Sequence, residues 1–200
     1  MIPKLIAEIN QALSYNLYFS ALLLALTLPD ICGKAEYPEK GSTSRYKLWY
    51  DEYVGQYERP PSFDGEPEMP YLSGEIVYNF RSSLFHQGNP NLDDEEYKKR
   101  NKKNCPIEHF TIVLETEKPF KIYGGEAGVL TIDKHGVEHR GYSVNVRRLC
   151  MILCWVAESY YKKNKEKFNF FNYSILDWDK HIDSIPKEDR DILLYGGDLP

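Results

Sequence analysis

The chain has 200 residues and a mass of 23.4 kDa, the size of one domain with room for an insertion. Its 42% hydrophobic and 28% charged residues exclude wholesale disorder, and a net charge of -5 with a pI near 5.6 excludes a histone-like coat of positive charge. The 16 Tyr outnumber 9 Phe and 3 Trp, and tyrosine suits half-buried surfaces where the ring packs and the hydroxyl stays solvated or bonded.

In chain order, a first helix is expected from near Pro3 to Leu28. Leu5, Ile9, Leu13, Leu17, Ser20 and Leu24 form a stripe at helical spacing, and Pro29 with Gly33 beyond it reads as the stop. The apolar run Leu22–Leu26 is far shorter than the roughly 20 residues of a membrane span. Pro29-Asp30-Ile31-Cys32 also lacks the small residues of a signal cleavage site, so the expectation is a buried helix and no membrane partner. A Gly-, Pro- and charge-rich loop follows at 33–42, then a second helix at about 43–57 with Tyr46, Trp49, Tyr50, Tyr53 and Val54 inward. Pro60-Pro61, Gly65, Pro67 and Pro70 mark a long connection.

The third helix is the most legible. Ser73 can cap it, Ile76, Val77, Phe80, Leu84 and Phe85 recur at three and four, and Gly88-Asn89-Pro90 ends it. After a mixed charged stretch at 93–104 come the strand-like runs Phe110–Leu114, Phe120–Tyr123, Val129–Ile132 and 137–142, separated by glycine turns. They predict a small antiparallel sheet or pair of hairpins, an insertion at 105–142. A last long helix from Val144 to about Lys163 follows. The aromatic tail with Phe170, Phe171, Tyr173 and Trp178 is expected to dock on the bundle, with a frayed end around Gly196-Gly197. The fold class is therefore mainly α, a single domain over 1–200 with a small antiparallel β insertion before the last long helix.

Cys32, Cys105, Cys150 and Cys154 are too few and scattered for a disulfide scaffold, which fits a reducing, cytoplasmic compartment. Cys150 and Cys154 share one helix face among apolar neighbours and read as buried thiols. His135-Gly-Val-Glu-His139 has metal-like spacing but sits at a turn, and Gly124–Gly128 lacks the Lys-Ser/Thr of a phosphate loop, so neither a metal nor a cofactor is expected.

Arg81-Ser82-Ser83-Leu84-Phe85-His86 places a guanidinium and an imidazole near the end of the third helix. Five residues turn an ideal helix by about 140°, but the last turn loosens before Gly88, and both side chains are long. Arg suits a phosphate through forked donors, and His titrates near neutrality, so the two suit phosphodiester chemistry on a ribose hydroxyl. In this Arg-x4-His motif the chain resembles the HEPN (higher eukaryotes and prokaryotes nucleotide-binding) domain family, an α-helical bundle fold. The resemblance implies a metal-independent endoribonuclease of toxin, abortive-infection or RNA-processing type. It would act as a homodimer, with Arg81 binding the scissile phosphate, His86 as general acid or base and a 2′,3′-cyclic phosphate product. It also admits an antitoxin partner, or a non-catalytic module that binds nucleotide, RNA or protein. The family often has Asn, Asp or His directly after the Arg; here it is Ser82, which can still donate a hydrogen bond. Ser82 and Arg147 are the expected supporting residues. A structural reading of the same residues pairs Arg81 with an acid such as Glu75 or Glu52 and leaves His86 at the helix dipole.

Charge is unevenly spread. Residues 98–167 hold 15 Lys and Arg against 8 Asp and Glu, net +7, while 30–68 and 177–200 each carry -4. Lys98, Lys99, Arg100, Lys102 and Lys103 form a candidate nucleic-acid contact, and Lys162, Lys163, Lys165 and Lys167 a second cluster beside Tyr160 and Tyr161.

Overall fold

The computed structural model describes residues 1–58, 71–89, 107–117, 127–132, 138–186 and 190. The proline-rich connection, the 93–104 stretch with its lysine cluster, Cys105, the Phe120–Tyr123 strand, Gly124-Gly125, His135 and Gly196-Gly197 lie outside the described residues. The chain is mainly helical and divides into two compact units, Met1–Phe168 and Asn169–Pro200.

The first predicted helix is three: α1 (Ile2–Ser14), α2 (Tyr18–Ala25) and α3 (Leu28–Glu36). Asn16 adopts the left-handed conformation, φ 57°, and Leu17 N–H returns to the Ala12 carbonyl at 2.8 Å. Asn16 N–H bonds the Leu13 carbonyl at 3.2 Å, which completes a Schellman stop with asparagine in glycine's usual place. Pro29 does not end a helix. It lies in the first turn of α3, where its missing N–H has no intrahelical partner to lose, and Gly33 is inside that helix. The stretch Tyr18–Glu36 is long and apolar enough by composition to cross a membrane, and in the fold its Ala21, Leu22, Ala25, Leu26, Leu28 and Cys32 are wholly buried.

The second predicted helix is α4 (Ser42–Trp49), continued by a π turn at Tyr50–Val54 and a 3-10 turn at Gly55–Tyr57. Tyr46, Trp49, Tyr50 and Val54 fill the core as expected, while Tyr53 is only half-buried. α5 (Gly74–Gln87) has the predicted ends: Ser73 accepts from the Ile76 N–H at 3.4 Å, and Gly88 is left-handed at φ 66°. Ile76, Val77, Phe80 and Leu84 are buried, but Phe85 is exposed.

The sheet corrects the antiparallel expectation. Its order is β1 (Ile107–Val113), β3 (Glu138–Asn145), β2 (Ala127–Ile132), with β1 parallel and β2 antiparallel to β3. Tyr142 pairs with Phe110 on one side and Ala127 on the other. Glycine turns specify local chain reversals but not which strand takes the centre; here the last strand inserts between the first two. β3 runs straight into α6 (Val146–Lys163), capped by the Asn145 side chain on the Arg148 N–H at 3.0 Å. α6 packs on α1, α2, α3 and the π turn through Leu149, Cys150, Leu153, Val156 and Tyr160. Burial pushes the thiols of Cys32, Cys150 and Cys154 upward, the last to about 12, as suits inert core residues.

In the second unit, α7 (Trp178–Ser184) starts at Asp177, whose side chain accepts from the Lys180 N–H at 3.3 Å. There the tail aromatics contact one another: Phe170 with Phe171, Phe171 with Tyr173, and Trp178 with His181.

Candidate functional site

The site begins with a close helix crossing. A Cβ on Gly33 would lie 2.6 Å from the Arg45 carbonyl oxygen, so only glycine lets α3 approach α4 this closely. Asp30 is one turn before Gly33 and comes within electrostatic reach of both Arg45 on α4 and Arg81 on α5. α5 is locked to α4 and its π turn by the Gly74 N–H on Asp51 Oδ1 at 2.6 Å, by a Lys47–Glu75 ion pair, and by Thr43 and Tyr78 hydroxyls 2.8 Å apart.

Arg81 projects into this junction. Its Nη2 lies 2.5 Å from Asp30 Oδ2, and both side chains keep slightly over a fifth of their surface exposed. The guanidinium sits over two rings, 5.5 Å from the Tyr46 centroid and 5.3 Å from that of Phe85. Burial pushes the Asp30 carboxyl above its usual range, against the opposing pull of Arg81 and Arg45. The buried Nε atoms of both Arg81 and Arg45 have no hydrogen-bond partner among the described residues. Arg81 in contact with Asp30 and Arg45 at longer range leave a local charge of +1 around one carboxylate, a setting that favours an anion at the solvent-facing side of Arg81.

The acid that holds Arg81 is thus neither Glu75 nor Glu52: Glu75 pairs with Lys47, and Glu52 accepts from Tyr37. Asp30 is 51 residues from Arg81, and its only sequence signal is an acidic residue inside an apolar run. His86 lies exposed in the last turn of α5, next to the exposed Phe85, and Ser82 is half-buried beside Arg81.

Arg147 does not join this group. It is buried in the first turn of α6, where Nη2 donates to the carbonyls of Leu13 at 3.3 Å and Glu115 at 3.5 Å and to Tyr18 Oη at 3.2 Å. Its guanidinium covers the Tyr18 ring at 5.5 Å. This ties the α1–α2 break to the end of β1, a structural position that fits its apolar sequence neighbours. Lys98, Lys99, Arg100, Lys102 and Lys103 lie outside the described residues. Among the described residues no group of three or more His, Cys, Asp and Glu could hold a metal ion. No family model, curated protein or solved structure matches the chain.

Proposed function

We propose that the protein is a metal-independent endoribonuclease of HEPN type, working as a homodimer through the C-terminal end of α5. The observation that carries the reading is the setting of Arg81, oriented by Asp30 and two aromatic rings one and a half turns before an exposed His86. A guanidinium held this way meets a phosphate without first losing its own freedom, and it offsets charge that develops on the phosphoryl oxygens. His86, in contact with solvent, takes the 2′-hydroxyl proton as general base. The attack then forms a 2′,3′-cyclic phosphate and expels the 5′-oxygen, which needs a proton from a second group. A dimer that joins two α5 ends supplies a His86 from each protomer for the two roles, and the exposed Phe85 gives that contact an apolar centre.

The test is cleavage of an RNA pool by the purified chain in the presence of a chelator, with analysis of the product ends. We expect cyclic phosphate termini from the wild type and loss of cleavage in His86→Ala with folding intact. No cleavage of any RNA, or a His86→Ala chain as active as wild type, refutes the enzyme reading. The engagement of Arg81 by Asp30 is what the structural reading of these residues expects, with a different acid, and a second functional reading is a non-catalytic module for nucleotide, RNA or a protein such as an antitoxin. That reading predicts Arg81-dependent binding without turnover.

A further inference from the structure

A second feature lies in the first unit and involves no residue of α5. The π turn closes with the Gly55 N–H on the Tyr50 carbonyl, five residues back, and such turns re-aim side chains. Between it and the second half of α6 opens a cleft of about 260 Å³, lined by Tyr53, Gln56, Tyr57, Trp155, Tyr160 and Lys163 among others. Its back wall is aromatic and rigid. Trp49 stacks on Tyr53 at 5.4 Å and an interplanar angle of 23°, and Tyr160 meets Tyr53 edge-on at 5.1 Å. At the mouth, Tyr57 and Trp155 form a corner, their centroids 5.3 Å apart and their planes at 67°. Trp155 is 56% exposed, a large apolar surface for a residue in the middle of a packed helix.

The polar groups around the cleft are sorted by what they have left to offer. Glu36 accepts from Tyr160 and Lys167, each at 2.6 Å, Glu158 pairs with Lys162 at 2.7 Å, and Glu52 accepts from the Tyr37 hydroxyl. These three acids are bonded within the fold, although Glu36 and Glu52 still bring negative charge to Tyr53, and the exposed ammonium of Lys163 has no ion pair among the described residues. The side-chain amide of Gln56 donates to the Tyr53 carbonyl at 3.2 Å, and that of Asn164, also in the lining, to the Tyr160 carbonyl at 2.9 Å. Each amide nitrogen keeps a second N–H, so the two amides present a donor and an acceptor apiece. An aromatic corner, two amides that each offer a donor and an acceptor, and the Lys163 cation fit a planar ring with polar edges and, at a distance, an anion. The volume lies just under the roughly 300 Å³ at which drug-sized sites begin, room for one such unit.

We propose that this cleft binds a nucleobase with its phosphate, the ring against Trp155 and Tyr57 and the phosphate on Lys163. The unit is either a free nucleotide or one residue of a single-stranded RNA. The site is independent of Arg81 and His86, so it can hold whether or not the chain cleaves RNA.

The experiment is calorimetry and tryptophan fluorescence on the full chain in a His86→Ala background, titrated with AMP, UMP, inorganic phosphate and an oligo(A) octamer. AMP is expected to bind saturably and quench emission, and inorganic phosphate to leave it unchanged. Calorimetry should show AMP affinity reduced about 5- to 100-fold in Trp155→Ala and Tyr57→Ala, the range for loss of one base stack. Trp155 is the more exposed of the two, and both variants should stay folded, with the larger fall in melting temperature in Tyr57→Ala. Lys163→Ala is expected to weaken AMP about 5-fold and flatten its salt dependence. An octamer more than about 10-fold tighter than AMP assigns the site to a strand; equal affinities assign it to the free nucleotide. UMP, with the smaller ring, is expected to bind more weakly than AMP, and UMP as tight as AMP overturns stacking as the source of affinity. No saturable binding of AMP or octamer, or affinity unchanged in both aromatic variants, overturns the site itself.

Discussion

Two arginine–carboxylate pairs, Arg148–Glu58 and Arg81–Asp30, have similar distances, 2.6 and 2.5 Å, and similarly exposed arginines, but acids in different surroundings, 2% and 23% exposed. The first is closed. Glu58, with its side chain 2% exposed, receives Arg148 on one oxygen and the Tyr142 hydroxyl on the other at 3.3 Å, and Arg148 gives its remaining edge to the Tyr57 carbonyl at 2.8 Å. It joins the 3-10 turn, β3 and α6, with both carboxylate oxygens of Glu58 and both Nη groups of Arg148 bonded inside the fold. The second pair is open: Asp30 holds Arg81 alone with Arg45 at longer range, and both ends of the pair keep contact with solvent. Satisfied networks specify structure, and partly satisfied ones keep capacity for a ligand. The contrast separates two pairs that distance alone would put in one class.

The largest effect should come from breaking the closed pair. Arg148→Ala leaves the Glu58 carboxylate buried with only Tyr142, and removing one partner of a buried pair costs about 3–5 kcal/mol. Denaturant unfolding measures it; a loss under about 1 kcal/mol would show that Glu58 escapes to water and that the network is not closed. The open pair should divide differently. Arg81→Ala is expected to cost only about 1–2 kcal/mol of stability, because the pair is partly exposed, yet to reduce RNA cleavage at least about 100-fold. Asp30→Asn should keep the fold and reduce cleavage by about 10-fold through lost orientation of Arg81. Equal stability losses for Arg148→Ala and Arg81→Ala, with binding and turnover untouched in the latter, would erase the distinction.

Much of this was legible in local signals. Ser73 and Gly88 delimit α5, the Val146–Lys163 helix shows its apolar stripe, and Arg81 and His86 stand out by type and spacing. What stayed hidden depends on conformation or distance. Asn16 looks like any polar interruption of a helix until its positive φ is known, and Pro29 can start a helix as well as end one. Asp30 acquires meaning only because Gly33 lets α3 touch α4, and the central place of β3 has no local marker at all. The aromatic cleft was half-legible: Tyr160 near the lysines suggested stacking, but Tyr160 itself is buried, and the exposed ring is Trp155, more than a turn earlier.

Gly33→Ala tests the crossing that builds the open pair. Its Cβ would strike backbone, which cannot swing aside, so α3 must shift from α4 at a cost of about 1–3 kcal/mol. If the crossing positions Asp30, cleavage should fall with stability; a variant as stable as wild type would mean that the helices have slack. A smaller effect belongs to the α1–α2 break, where Asn16→Ala should cost about 1 kcal/mol and Asn16→Gly almost nothing, read from melting temperatures.

The smallest expected effect concerns acid, and it sets the buried Glu58 against a more solvated carboxylate. For Glu58, burial raises the pKa more than Arg148 and Tyr142 lower it. The native state therefore binds its proton first, and this group's contribution falls as pH rises from the unfolded value near about 4.3 through the raised folded one. Glu36 has the opposite sign. Burial raises it, but hydrogen bonds from Lys167 and Tyr160 and the Lys167 charge together lower it more. Its contribution is present above the unfolded pKa and is lost as pH drops through the lowered folded value, below about pH 4. Melting temperatures between about pH 3 and 7 should therefore show a shallower acid limb in Glu36→Gln than in wild type. Superimposable limbs would mean that the Glu36–Lys167–Tyr160 contact, which holds the buried ring of the aromatic cleft in place, is too well solvated to stabilise the fold.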